Sequence, residues 1–170
     1  IQDLLDLARL DQVPAEERAT RMSELVRRVV DEAGDDAREK HLDLQSHIAP
    51  DVEVAGRPGD LELLTRNLLD NAIRYTPEGG SVAVDLLQEN GNATLSVRDS
   101  GIGIPAKDLP RIFERFYRVD KARARETGGT GLGLSIVRHI AESHGGTVTA
   151  ESELGRGSTF TVSLPTRRSS

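Results

Sequence analysis

Two alternating apolar segments joined by Asn90-Gly91 constrain the fold of this chain more than any other feature. Every second residue is apolar on both sides of the dipeptide: Val82, Val84 and Leu86 before it, and Ala93, Leu95 and Val97 after it. Such alternation is typical of strands with one buried face, and Asn-Gly is a strong hairpin signal. The sequence therefore predicts two adjacent antiparallel strands.

Asp99 continues the inward-facing row of the second of these strands. We expect its carboxylate on the buried face of the sheet, where it needs a hydrogen-bond donor. Gly101 and Gly103 follow, and the absence of Cβ atoms there would let a flat ligand lie against the backbone. Asp-Ser-Gly is also a common turn composition, so this motif alone leaves a ligand site and a surface turn equally open.

A predicted amphipathic helix upstream of the hairpin carries two carboxamides. Its apolar residues recur at three- and four-residue spacing over 61–73. Asn67 and Asn71 are one turn apart and Arg74 lies three residues further, so the three side chains share one edge of the helix. An Asn oxygen can bind Mg²⁺ and an Arg can hold a phosphate oxygen. For the helix alone, two solvated Asn residues would be the simpler interpretation.

A glycine-rich segment, Gly128-Gly129-Thr-Gly131-Leu-Gly133-Leu134, opens another predicted helix. Backbone N–H groups at the positive end of a helix can receive phosphate. Neither standard phosphate loop, GxxxxGK[ST] or GxGxxG, is present, and a flexible hinge is the alternative interpretation. The preceding residues, 118–130, are rich in Arg and Gly and predict a mobile loop of the kind that covers a site.

The remaining pattern predicts further elements. We expect a short strand over 19–22, a helix over 23–37 capped by Ser23, and strands at 42–46 and 52–54. After them we expect a central helix capped by Asp60 and ending near Tyr75, a short helix from Pro105 to Ile112, and two strands around 148–150 and 160–164. Phe113 and Phe116 are expected in the core. The four histidines, His41, His47, His139 and His144, have no metal-ligand spacing and are interpreted as surface or helix-packing residues.

Length and charge narrow the function classes. A chain of 170 residues can form one domain with a core, plus a fragment of another. The net charge of -6 disfavours nucleic acid as a partner, and no apolar run is long enough to span a bilayer or act as a signal peptide. The chain does not begin with Met, and 1–10 has helical periodicity, so we expect a piece of something longer.

Five motifs resemble, in order, those of sensor histidine kinases. Asn67-Leu-Leu-Asp-Asn71-Ala with Arg74-Tyr75 resembles the N box, Asp99-Ser-Gly101-Ile-Gly103 the G1 box, and Phe113-Glu-Arg-Phe116-Tyr-Arg the F box. Gly129-Thr-Gly131-Leu-Gly133-Leu resembles the G2 box, and Gly155-Arg-Gly157-Ser-Thr-Phe160 the last glycine motif. The resemblance spans Arg18 to Pro165.

This resemblance implies the ATP-binding catalytic domain of a membrane-receptor-type histidine kinase. The fold would be the Bergerat (GHKL) α/β (α+β) two-layer sandwich, in which a mixed, mostly antiparallel sheet packs on three helices. Residues 1–17 would be the C-terminal remnant of a dimerisation and phosphoacceptor helix plus a linker. Residues 18–165 would be the catalytic domain, and 166–170 a disordered tail.

The resemblance also implies ATP and Mg²⁺ as ligands. Asn71 would bind Mg²⁺, and the catalytic residues would be Asn67 and Arg74 at the phosphates and Arg118 at the γ-phosphate. Asp99 would accept the adenine amino group, which agrees with its predicted inward parity. The other nucleotide-binding residues would be Tyr75, Gly101, Gly103, Ile104, Tyr117, Gly129, Thr130, Gly131, Leu132, Gly133, Leu134 and Thr159. Arg74 stands where Lys is common in the family, which keeps the charge but changes the geometry.

Two absences sharpen the expected activity. Related ATPases of the DNA gyrase, heat-shock and mismatch-repair types place a Glu where Asn67 stands, and Asn cannot activate water as a base. Transfer of the γ-phosphoryl is therefore favoured over hydrolysis. None of the four histidines has the context of the family's phosphoacceptor, so the acceptor His is expected on a dimerisation domain upstream of Ile1.

The family implies further partners and a location. The acceptor His would pass the phosphoryl group to an Asp of a response regulator. The parent would be a homodimer anchored in the bacterial inner membrane, with this domain in the cytoplasm. For the chain itself, both a monomer and a dimer are left open. Two rival hypotheses are a serine-directed anti-sigma-factor kinase of the same superfamily and a nucleotide-sensing module without transfer activity.

Overall fold

A five-stranded sheet covered on one face by three helices forms the body of the protein. The computed structural model describes residues 19–117 and 133–166. The strands are β1 (Ala19–Arg21), β2 (Asp43–Ile48), β3 (Glu53–Ala55), β4 (Ser81–Glu89), β5 (Asn92–Asp99), β6 (Thr147–Glu153) and β7 (Gly157–Pro165). The helices are α1 (Met22–Glu39), α2 (Pro58–Tyr75) and α3 (Gly133–Ser143), with a 3₁₀ turn at Leu109–Arg111.

The strands of the main sheet lie in the order β2-β4-β5-β7-β6. Only β2 and β4 are parallel, and the other three pairs are antiparallel. Strands β1 and β3 form a separate antiparallel ribbon. The predicted two-layer sandwich with a mixed, mostly antiparallel sheet and three helices is therefore confirmed.

The core lies between the sheet and the helices. In β4 and β5 every second residue is buried, and β7 continues the same pattern, so that one sheet face is apolar. The buried row of β5 includes Asp99 as its last member. The predicted hairpin is formed as well, since β4 and β5 pair from Val82 opposite Asp99 to Glu89 opposite Asn92.

The two predicted helix caps are wrong. Helix α1 begins at Met22, and the hydroxyl of Ser23 donates to the carbonyl of Ala49 (2.6 Å) and accepts from the N–H of Val52 (2.9 Å). These long-range bonds attach α1 to the chain between β2 and β3. Helix α2 begins at Pro58, the favoured first position for proline, and the carboxylate of Asp60 lies 2.7 Å from the guanidinium of Arg57.

The segment after the first glycine motif is less regular than the sequence predicts. The expected helix from Pro105 to Ile112 is reduced to the 3₁₀ turn, because Pro110 has no N–H to donate and its ring opposes a regular α-helix. Phe113 packs edge-on against Phe160, with 6.2 Å between ring centroids. The prediction that Phe116 lies in the core is wrong, because its side chain is 60% exposed. Its backbone has a φ of 64°, in the left-handed region.

His144 and Thr166 are both held by hydrogen bonds to distant parts of the chain. His144 is buried: its Nε2 accepts from the N–H of Arg57 (3.2 Å), and its Nδ1 lies 2.7 Å from the carbonyl of Ile140. Thr166, expected in the tail, bridges to Val54 and donates its N–H to the carbonyl of Gly91. Within residues 19–117 and 133–166, no helix has both the length and the hydropathy needed to cross a membrane.

Candidate functional site

Asp99 is a buried carboxylate at the end of β5, with only 6% of its surface exposed. Its Oδ1 accepts two backbone hydrogen bonds, from the N–H of Gly101 (2.8 Å) and from the N–H of Ser158 (3.3 Å). Among the described residues no hydrogen bond reaches Oδ2. One oxygen is therefore fixed by the protein, and the other remains as an acceptor for a ligand.

Burial raises the pKa of the Asp99 carboxyl, because the charged form is separated from water. The N–H groups of Gly101 and Ser158 oppose this shift by binding the charged form. A buried carboxyl with a raised pKa and an unused acceptor oxygen is typical of functional sites.

Close backbone approaches surround Asp99. A Cβ at Gly101 would lie 2.5 Å from the carbonyl oxygen of Tyr75, and the N–H of Ile102 donates to that same oxygen. Gly103 has a φ of 74°, and a Cβ there would lie 2.2 Å from the carbonyl oxygen of Glu153. These contacts clamp the loop from 101 to 104 between the end of α2 and the turn between β6 and β7.

Two serines that the sequence reasoning missed complete this end of the site. Ser158 lies directly opposite Asp99 in the pairing of β5 with β7, and Ser152 lies opposite Ser158 on β6. The predicted Thr159 instead pairs with Arg98, on the other face of the sheet. The inward parity of Phe160 was a signal that could have located Ser158, because residues two apart on a strand share a face.

The second part of the site is the edge of α2. Asn67, Asn71, Arg74 and Tyr75 are all half-buried, between the buried stripe and the exposed stripe of the helix. The Nδ2 of Asn67 is buried and has no hydrogen-bond partner in the part of the chain that the structure describes. A Cβ added at Gly133 would lie 3.8 Å from the Oδ1 of Asn67, so the beginning of α3 faces this carboxamide.

Lys40 holds the end of α2. Its Nζ donates to the carbonyl oxygens of Ile73 (2.7 Å) and Arg74 (2.9 Å), which have no partner within the helix. Burial, and then the nearby charge of Arg74, lower the pKa of Lys40. The periodicity of the sequence carried no signal for this contact, which joins the end of α1 to the end of α2.

Tyr117 contacts protein groups in this structure. Its hydroxyl donates to Oδ1 of the buried Asp108, and the guanidinium of Arg111 lies 4.6 Å from the centroid of its ring. The hydrogen bond to Asp108 is the main cause that raises the pKa of Tyr117. The predicted residues Arg118, Gly129, Thr130, Gly131 and Leu132 lie outside the described residues.

The described residues suit a nucleotide better than a metal ion held by protein alone. No group of three or more His, Asp or Glu residues within 19–117 and 133–166 could hold a metal. A magnesium ion needs few protein ligands when it also binds phosphates, and an Asn oxygen is an acceptable ligand. The unpartnered amide of Asn67 and the unused oxygen of Asp99 leave hydrogen-bonding capacity at the two ends of the site.

Comparisons with known proteins agree with this geometry. The model of a family described as histidine kinase-, DNA gyrase B-, and HSP90-like ATPase matches residues 56–168. The sensor histidine kinase RppB of Synechocystis sp. is 44% identical over 168 residues, which cover 97% of this chain and 37% of RppB. The chain thus spans about 37% of the length of that relative.

Solved structures give the same result. The mycobacterial sensor histidine kinase MprB matches 90% of this chain and 99% of its own, with a TM-score of 0.76 and 30% identity. Full-length ShkA in complex with AMPPNP matches 99% of this chain and 35% of its own, with a TM-score of 0.83 and 29% identity. The described fold is therefore one that this chain shares with MprB and with part of ShkA.

Proposed function

Because the chain belongs to the family of histidine kinase-, DNA gyrase B-, and HSP90-like ATPases, we propose that it is the MgATP-binding catalytic domain of a two-component sensor histidine kinase. It binds ATP and donates the γ-phosphoryl to a His on a dimerisation domain. That His passes the group to an Asp of a response regulator. The similarity to RppB and MprB supports this assignment.

The buried carboxylate of Asp99 is the observation that carries the proposal. Its Oδ1 is occupied by two backbone N–H groups, so Oδ2 is the acceptor that meets the ligand. The exocyclic amino group of adenine is a donor of the matching kind. Gly101 and Gly103 let the loop beside Asp99 pack closely against the backbone of Tyr75 and Glu153. ShkA, a structural neighbour, was solved with AMPPNP bound.

The edge of α2 serves the triphosphate. Asn67 and Tyr75 are eight positions apart, which corresponds to about 12 Å along a helix axis. A nucleotide whose base lies beside Asp99 can therefore extend its phosphates toward Asn67, Arg74 and the N-terminus of α3. Asn71 would hold Mg²⁺ through its side-chain oxygen, and the ion would neutralise phosphate charge. Arg118 interacts with the γ-phosphate.

Phosphoryl transfer follows from what these residues can and cannot do. They orient the nucleotide and place positive charge at its phosphates, which is the main contribution a protein makes to this reaction. The carboxamide of Asn67 cannot take a proton from water, so it gives no base for hydrolysis. We place the base beside the acceptor His.

The parent protein is a homodimer anchored in the inner membrane with this domain in the cytoplasm.

A transfer assay tests the proposal. The chain is mixed with the separately produced acceptor helices of its parent and with γ-labelled ATP and Mg²⁺. We expect acid-labile label on the acceptor helices, and we expect Asn71→Ala to remove most of the Mg²⁺-dependent transfer. Label that is stable in acid would indicate a hydroxyl acceptor instead. No transfer by a chain that demonstrably binds ATP would reject the kinase assignment.

A further inference from the structure

The hydroxyl of Ser152 joins three parts of the site. It accepts from the N–H of Ile104 (2.8 Å), at the end of the loop that follows Asp99. It donates to the carbonyl oxygen of Gly157 (2.9 Å) at the beginning of β7, and it lies 2.8 Å from the hydroxyl oxygen of Ser158. One side chain of β6 therefore connects the loop and β7 at the position beside Asp99.

The number of protons on Ser152 determines the direction of the bond to Ser158. A serine hydroxyl has one proton and two lone pairs. A carbonyl oxygen can only accept, so the proton of Ser152 points to Gly157, and an N–H can only donate, so one lone pair faces Ile104. The remaining lone pair faces Ser158. The hydroxyl of Ser158 must therefore donate to Ser152.

This direction leaves Ser158 with acceptor capacity only. Its side chain lies on the same sheet face as that of Asp99, and its own N–H donates to the Oδ1 of Asp99. With its proton committed to Ser152, the oxygen of Ser158 offers lone pairs on the sheet face that carries the Asp99 carboxylate. Both groups then favour a ligand, or a ligand-bound water, that donates at this point.

We propose that Ser152 is a positioning residue that sets base specificity by fixing the hydroxyl of Ser158 as an acceptor. This rests on the proposed nucleotide-binding function and adds a specificity element to it. Purines with a 6-amino donor are favoured over purines with a 6-oxo acceptor. Without Ser152 the hydroxyl of Ser158 is free to rotate and donate, and a 6-oxo purine is then accepted more readily.

Titration calorimetry with ADP and inosine diphosphate, on the full 170-residue chain, tests this. The measured quantity is the dissociation constant of inosine diphosphate divided by that of ADP, so a high ratio means a preference for ADP. We expect Ser152→Ala to reduce the preference for ADP by about fivefold to tenfold, the effect of roughly one hydrogen bond. Ser152→Thr, which keeps the hydroxyl, should restore the wild-type ratio. Ser158→Ala should reduce the ratio, and the double variant should resemble Ser158→Ala alone.

The ratio separates this role from mere structural support. If Ser152→Ala weakens both nucleotides equally, or if its effect on the ratio adds to that of Ser158→Ala, the proposal is overturned. Should Ser152→Ala fail to fold, Ser158→Ala decides, and an unchanged ratio there overturns the proposal. A wild-type chain that binds neither nucleotide would reject the proposed function itself, whereas the other negative results would leave that function intact.

Discussion

The two ends of the site are built differently. At the end proposed to hold the base, Asp99 accepts two backbone hydrogen bonds, the two neighbouring serines bond to each other, and Ser152 accepts from the loop. At the phosphate end, the Nδ2 of Asn67 has no partner among the described residues, and the predicted site residues of α2 are half-buried. Hydrogen bonds within residues 19–117 and 133–166 hold most polar groups of the first end, whereas the second end has a buried donor that no described residue binds.

This difference teaches what each end can select. A fixed arrangement of donors and acceptors discriminates between ligands, because a wrong ligand leaves buried polar groups unpaired. An arrangement with unused donors and few constraints supplies affinity for charged groups and adapts to them. We therefore expect changes at the base end to alter which nucleotide binds, and changes at the phosphate end to alter how strongly the phosphates are held.

The largest expected effect is that of Asp99→Asn. The amide oxygen of the variant accepts the two backbone N–H groups, so its NH₂ replaces the free Oδ2 and meets the amino group of adenine donor to donor. We expect ADP affinity to fall by about 100-fold or more, as in sites built around one buried hydrogen bond. Inosine diphosphate, with an acceptor at this position, should lose far less. Calorimetry with both nucleotides measures the change.

An exposed position provides the control for that substitution. Asp35→Asn removes one carboxylate from the surface of α1, where Asp35 pairs with the neighbouring Arg38. Affinity for both nucleotides should stay at the wild-type level in this variant. If Asp99→Asn lowered the affinities for ADP and inosine diphosphate equally, the carboxylate would support the loop without discriminating between bases.

A smaller effect, confined to the phosphates, is expected for Asn67→Ala. Affinity for ATP should fall by about tenfold, the effect of one hydrogen bond to a charged group, while affinity for adenosine stays unchanged. The free energy of unfolding should not fall, because the lost Nδ2 is buried without a described partner. Calorimetry and urea unfolding measure the two quantities. Gln88→Ala, which removes an exposed carboxamide of β4, is the control. If Asn67→Ala lowered the affinity for adenosine as much as the affinity for ATP, the division of the site into two ends would be contradicted.

Local periodicity was sufficient to predict much of both ends. The alternation in β5 predicted that Asp99 faces inward, and helical spacing predicted that Asn67, Asn71 and Arg74 share an edge of α2; burial agrees in both cases. Each prediction needed only the repeat of a single element. Side-chain direction within one strand or helix is fixed by its geometry, so it can be read from sequence.

Contacts between elements could not be predicted in this way. Ser152 binds groups 48 and 5 positions away, and Lys40 caps carbonyls 33 and 34 positions away, so these roles depend on the packed structure. Ser23 was predicted as a cap because its residue type suits that position, but tertiary bonds to Ala49 and Val52 took its hydroxyl. Thr159 pairs with Arg98 and lies on the other sheet face from Asp99, and the parity of β7 counted back from Phe160 indicates Ser158 as the residue beside Asp99.

The smallest expected effect is on the pH dependence of stability. Burial raises the pKa of Asp99 in the folded protein, so between the ordinary pKa and the raised one the folded state binds more protons than the unfolded state. The contribution of Asp99 to stability therefore falls as the pH rises through this window. Urea unfolding from about pH 4 upward should show that Asp99→Asn gains stability relative to wild type as the pH rises. Over the same range the affinity of the wild-type chain for adenosine should increase, because the ionised carboxylate is the acceptor. Asp35→Asn controls for the loss of one negative charge, and a constant stability difference between Asp99→Asn and wild type would contradict the raised pKa.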